Sequence, residues 1–240
     1  MNTESKARQK QVLRQELAQA CGHLWPADAP QHRPPPFPDR GKAAERLRRL
    51  PEYRKARVVA VMPDQVLLQA RINALNDRKT LIAATPGLKQ GLVRVIAPDA
   101  PMAQRSRLLA ANALAKTGRV LRFPRAKIGK IDLLVGAALA ADKQGSLLGD
   151  GRGLLDLVYA ILRSLKALSP QTPVAVLLAD EQLISSIPLD EWDVGADLVV
   201  TPTQVYRQQG AHPASRLDSL SPQLARLPLV KGVLSLLNPS

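Results

Sequence analysis

A chain of 240 residues with 45% apolar side chains can build a sizeable core, and its excess of Lys and Arg gives a net charge of +14. No stretch approaches the roughly 18–20 consecutive apolar residues of a membrane span, and residues 1–19 lack the apolar segment and small-residue cleavage site of a secretory signal. The single Cys21 rules out an internal disulfide or a cysteine metal cluster, so the chain reads as a folded protein of a reducing, cytoplasmic setting, with Cys21 a buried thiol.

The charge is unevenly spread. Residues 1–130 hold 26 Lys and Arg against 9 Asp and Glu, whereas residues 131–240 hold 8 against 11. A basic half attracts polyanions, and nucleic acid, a nucleotide triphosphate, an oligo-glutamate chain and plain solvated surface all remain open. Aromatic residues at 3% argue against a single-strand binder that stacks bases on rings.

In chain order, residues 5–21 predict a helix on which Lys6, Lys10 and Arg14 recur every four positions. They form one cationic ridge, suited either to phosphates or to water, with Leu13, Leu17 and Ala20 toward the body. Residues 25–38 carry six prolines and read as a tether, excluded from helix and central strand. A basic helix is expected over 39–50. Short apolar runs at 57–62, 80–85 and 91–96 predict strands, with a helix over 65–75 between the first two.

A helix over 102–117, a strand over 119–123 and buried strands at 131–136, 173–178 and 197–200 follow. Residues 153–168 form the clearest helix, with Leu154, Leu157, Val158, Ile161, Leu162 and Leu165 on one broad face. Continuous apolar strands alternating with helices predict an α/β fold: a single doubly wound, mainly parallel sheet with helices on both faces. Residues 1–203 are expected to form this domain, and 204–240 a tail with a short helix over 227–237 and no chemistry of its own.

Residues 145–153, Gly-Ser-Leu-Leu-Gly-Asp-Gly-Arg-Gly, place four glycines before the clearest helix. Glycine admits positive φ and close approach, and a helix start adds unpaired N–H groups and a positive dipole end, so the segment reads as a phosphate cradle or a structural turn. The Gly149-x-Gly151-x-Gly153 spacing matches neither the P-loop nor the dinucleotide fingerprint. Asp132, Asp142, Asp150 and Asp156 are the carboxylates expected near it. One or two of them could share Mg²⁺ with phosphate oxygens, and Asp156 could equally serve only as a helix N-terminal charge. His23, His32 and His212 show no metal-ligand spacing and receive no role, and nothing supports a Ser-His-Asp or Cys-His arrangement.

Three dispersed motifs resemble the 5-formyltetrahydrofolate cyclo-ligase family. Lys10-Gln-Val-Leu13-Arg14 is similar to its K-x-x-L-R opening, residues 145–156 resemble G-x-R-L-G-x-G-x-G-Y-Y-D, and Asp193 to Thr201 resemble D-x-x-x-D-x-x-x-T. Phe37-Pro38, Pro63-Asp64 and the run from Gly153 to Leu162 look like the divergent cyclo-ligase-like branch, of CoA-transferase-like architecture. The resemblance implies an ATP- and Mg²⁺-dependent enzyme that phosphorylates the formyl oxygen of a reduced folate, closes the ring and releases phosphate. By position, Lys10 and Arg14 would hold ATP phosphates and Gly149, Asp150, Gly151 and Gly153 would frame them. Arg152 would neutralise transferring charge and Asp156 would bind Mg²⁺. The basic half would suit a polyglutamylated folate tail. Leu147 stands where the family has arginine, Leu154 and Leu155 where it has paired tyrosines, and Asp64 is the nearest counterpart of an expected Glu. The resemblance therefore equally allows a divergent member that binds nucleotide or another phosphate compound without cyclo-ligase activity, and a nucleic-acid-binding module is the third possibility.

Overall fold

The computed structural model describes residues 3–27, 33–96, 101–214, 217, 220 and 222–238. Helix α1 (Thr3–Ala20) leads to α2 (Arg40–Arg49) and α3 (Pro51–Lys55), a short helix begun by a proline at its first position. Then come β1 (Val58–Val61), α4 (Leu68–Asn76), β2 (Thr80–Ala84), β3 (Leu92–Val95), α5 (Met102–Leu108), α6 (Leu114–Thr117), β4 (Arg119–Val120) and β5 (Leu133–Gly136). A small hairpin of β6 (Ala140–Ala141) and β7 (Leu147–Leu148) precedes α7 (Leu154–Ser164). Strands β8 (Val174–Leu177), β9 (Leu198–Val200) and β10 (Val205–Arg207) and helices α8 (Pro222–Ala225) and α9 (Pro228–Leu237) complete the chain.

Eight strands form one sheet in the order β10-β9-β8-β5-β1-β2-β3-β4. The five strands from β9 to β2 run parallel, and antiparallel partners close both edges. Every residue of β5 and β8 is buried, as continuous apolar strands require when helices cover both faces. From β1 the chain crosses through α4 to β2, and from β5 through α7 to β8, in opposite directions along the sheet. Right-handed crossovers therefore put α4 and α7 on opposite faces and make the β1/β5 boundary the switch point, where such sheets open a crevice at their carboxyl ends.

Several boundaries depart from expectation. The helix expected over 102–117 is two short ones, because Leu109 turns into the core and Thr117 Oγ1 closes the intervening turn on the Leu108 carbonyl at 2.8 Å. The tether is pinned at its described ends: Trp25 and Phe37 are buried, and the Trp25 indole N–H donates to Arg33 O at 2.7 Å. His32 lies outside the described residues. On α1, Leu17 is buried but Ala20 is exposed. In the tail, β10 adds an edge strand, and Val230 and Val233 of α9 are fully buried.

Candidate functional site

A cavity of about 1190 Å³ opens at the carboxyl ends of β1, β2 and β5. Met62, Pro63 and Asp64 follow β1, Pro86 and Gly87 follow β2, and Ala137 and Ala138 follow β5. Its floor includes the loop Gly149–Gly153 and the first turn of α7, which approaches the sheet closely because β5 ends in glycine. A Cβ on Gly136 would stand 3.0 Å from a Leu155 methyl carbon. Leu155 thus packs the helix against the sheet and also lines the cavity.

Lys10, Arg14, Gly149, Asp150, Gly151, Arg152, Gly153 and Asp156 all line this one cavity. Gly151 and Gly153 adopt φ of +86° and +62°, and Gly153 is the N-cap of α7 with no side-chain capping bond. Gly149 shows no such demand, since a Cβ there would meet nothing within 4 Å. The first N–H groups of α7 have no intrahelical acceptor and point with its dipole toward the loop.

The cations are engaged with neighbours. Lys10 Nζ donates to Asp190 Oδ2 at 2.8 Å and, more tightly, to Asp193 Oδ2. Burial alone would pull its pKa down, but the two carboxylates outweigh that and hold the ammonium above its ordinary value. Arg14 Nε donates to Gly149 O at 2.8 Å, and the guanidinium carbon lies 3.6 Å from where a Cβ on Gly151 would stand. Arg152 folds back on Asp150, donating from Nε at 2.7 Å and from its backbone N–H at 3.0 Å. The Lys6–Lys10–Arg14 ridge therefore faces the body: Lys6 Nζ reaches Leu189 O at 2.6 Å.

Two carboxyl groups in the cavity have pKa values above the ordinary aspartate value. Asp156 is pushed up to about 6, chiefly by desolvation and further by Asp193, although its Oδ1 accepts the Val194 N–H at 2.9 Å. Desolvation and the nearby Asp150 also raise Asp64. Beneath it lies Arg71, a residue of α4 with no solvent exposure and no signal in the sequence pattern. It donates to the carbonyls of Met62, Asp64 and Leu109 at 2.8, 3.1 and 3.0 Å and so fixes the turn that presents Asp64.

Four expectations need correction. Asp132 sits at the opposite, amino end of the sheet, where its Oδ2 accepts the Arg57 and Val58 N–H groups at 2.8 and 2.9 Å. Asp142 is buried and saturated by backbone N–H groups of Gln144, Ser146 and Ile187, a structural duty within the β6–β7 turn and its neighbour. Gly145 lies outside the cradle: a Cβ on it would stand 2.2 Å from Ala196 O, so it is glycine for packing. His212 does have a role, clasping Asp197 through Nε2 at 3.0 Å while its Nδ1 lies 3.2 Å from the Tyr159 hydroxyl. This clasp anchors the segment whose Pro213 and Ala214, with Leu220 and Leu224, wall the cavity. Cys21 is buried, as expected, and burial raises its thiol pKa.

The sequence model of the 5-formyltetrahydrofolate cyclo-ligase family matches residues 6–202, from the cationic ridge through the glycine loop to Thr201. The chain belongs to the 5-formyltetrahydrofolate cyclo-ligase family. It is 33% identical over 204 residues to a methenyltetrahydrofolate synthase domain-containing protein of Bos taurus, covering 82% of this chain and 53% of that one. The Homo sapiens protein of the same name is 32% identical over 204 residues, with 82% and 52% covered. The chain thus spans about half the length of these curated relatives. Its fold is similar to that of 5,10-methenyltetrahydrofolate synthetase of Aquifex aeolicus, with a TM-score of 0.54 at 19% identity, covering 88% of this chain and 99% of the other. Among the described residues no helix is long and apolar enough to cross a membrane.

Proposed function

We propose that the chain is an ATP-dependent cyclo-ligase that converts 5-formyltetrahydrofolate to methenyltetrahydrofolate in this cavity. The observation that carries the reading is the convergence of the left-handed glycines 151 and 153, the N-terminus of α7, Lys10, Arg14, Arg152 and Asp156 on one crevice. These residues fit a nucleotide's phosphate chain. Backbone N–H groups and guanidinium forks match phosphate oxygens. Among the described residues no three carboxylate, His or Cys groups cluster for a metal, so Asp156 would share Mg²⁺ with the phosphates, as that ion commonly requires.

When bound, Mg²⁺·ATP supplies the phosphoryl group that turns the formyl oxygen into a leaving group. The protein's task is positioning and charge neutralisation. Arg14, already fixed on the loop, and Arg152, released from Asp150, would grip the phosphates. Asp64, presented on the cavity wall, would face the folate's polar edge. Trp25, Pro34 and Pro36 would shield the reacting groups from water, and Arg33 and Lys89 on the wall would meet a glutamate or polyglutamate tail. Incubation with 5-formyltetrahydrofolate, ATP and Mg²⁺ should develop the methenyl chromophore; none above buffer defeats the reading.

A second reading, phosphate binding without cyclo-ligase activity, is favoured by one observation. Leu154 and Leu155 stand at the motif's tyrosine positions, and Leu155 is occupied on Gly136. It predicts that ADP raises the melting temperature while 5-formyltetrahydrofolate does not.

A further inference from the structure

Between Asp99 and Asp132 the sequence contains eight Lys and Arg and no Asp or Glu. Strand β4 and the segment after it belong to this acid-free stretch, and Arg94 of the neighbouring β3 joins them at the sheet edge. Arg94 and Arg119 stand directly opposite each other across the antiparallel β3–β4 pair. Arg94 also donates from Nη2 to Lys127 O at 2.8 Å, bringing a third cationic residue to the same place. Arg122, Arg125 and Lys130 flank them, and all but Arg94 are exposed. Among the described residues none of the six makes an ion pair, and the buried Nε of Arg94 has no hydrogen-bond partner. None lines the cavity.

Like charges placed directly across a β-pair destabilise it, so the fold maintains this arrangement at a cost to itself. The frame beneath is fixed. Leu121 N donates to Leu92 O at 2.8 Å and Ala126 N to Arg122 O at 2.8 Å. Gly232 of α9 lies so close to Phe123 that a Cβ there would stand 2.6 Å from its carbonyl oxygen. The cations are thus presented on a preorganised edge.

We propose that this edge binds the phosphodiester backbone of a nucleic-acid duplex, independently of its sequence. Arginine predominates, and its planar, weakly hydrated fork binds phosphate oxygens bidentately. Phe123, the one aromatic residue of the segment 119–130, is half-buried against the core and offers no stacking platform, so backbone contact rather than base stacking is the mode.

The test is fluorescence anisotropy of the full chain with a labelled 20-base-pair RNA duplex of arbitrary sequence, over a salt series. Binding should weaken steeply with salt. R119Q/R122Q/R125Q/K127Q should bind roughly tenfold or more weakly, with the log–log salt slope shallower by about 0.9 for each phosphate contact removed. That variant should melt no lower than the parent, because opposed charge has been relieved. R49Q/R54Q/K55Q/R57Q, of equal charge but on another surface, should bind within about twofold of the parent. Absent binding, salt-independent binding, equal loss in both variants, or competition by poly-glutamate equal to that by unlabelled duplex would each overturn the proposal.

Discussion

Arg14 Nε donates to the carbonyl oxygen of Gly149 at 2.8 Å, so the first helix holds the glycine loop although 135 residues separate the two in sequence. The residue expected to grip phosphate is thus also the strut that shapes the cradle. Arg14→Ala should lower stability by about 1 kcal/mol and weaken ADP binding roughly tenfold to a hundredfold. Arg14→Lys should recover charge but little affinity, because the fork that reaches both loop and phosphate is lost. Calorimetric titration with ADP and Mg²⁺ separates the two variants.

The three alternating glycines should not respond alike. Gly151 and Gly153 hold φ of +86° and +62°, whereas a Cβ on Gly149 would meet open space. Gly151→Ala and Gly153→Ala should each cost about 1–2 kcal/mol and reduce nucleotide affinity. Gly149→Ala should leave the urea midpoint nearly unchanged. Equal losses at all three positions would mean that the loop's shape is not what φ dictates.

Lys10 lies between Asp190 and Asp193, whose side chains are 8% and 15% exposed. Lys10→Met would leave two nearly buried carboxylates facing one another, at a cost of about 3 kcal/mol. Because the Lys10 pKa is raised in the folded chain, its contribution is fully present below the ordinary lysine value and is lost as pH rises through the folded value. The stability gap between parent and variant should therefore be wide at pH 8 and narrow above pH ~11. A gap that is constant with pH contradicts the clamp.

Asp156 titrates at about 6, above the ordinary aspartate value, so folding itself favours its protonated form. The sign is opposite to that of a paired carboxylate: ionised Asp156 weakens the fold as pH rises past the ordinary value toward 6. Asp156→Asn should be more stable than the parent at pH 7.5, by about 1–2 kcal/mol. That advantage should vanish below pH ~4. Mg²⁺-dependent nucleotide binding should strengthen from pH 5 to 7 more steeply in the parent than in Asp156→Asn, where only the nucleotide's own phosphate titrates.

Local chemistry made part of this legible in the sequence. The apolar runs that became β1, β2, β5, β8 and β9 are buried on both faces, and such strands announce themselves as continuous hydrophobic stretches. The face of α7 and the glycine loop before it were equally readable, because glycine clusters and helical periodicity are short-range signals. The β6–β7 hairpin was not, since two alanines facing two leucines carry no alternation. Asp132 and Asp142 are close to the loop in sequence, yet the fold turns both onto backbone N–H groups away from the cavity. Arg71 gave no signal, because a buried cation is satisfied by carbonyls that only the folded chain brings together. The same holds for Lys10 and Asp190, 180 positions apart.

In the proposed reaction the cavity couples nucleotide phosphates to folate ring closure. The most direct measurement follows methenyltetrahydrofolate and ADP together in one reaction of pure protein, 5-formyltetrahydrofolate, ATP and Mg²⁺. The predicted result is equal molar appearance of both products, requiring all three additions and falling at least about tenfold in Arg152→Ala. No methenyl product, with ADP still binding in the cavity, would contradict it.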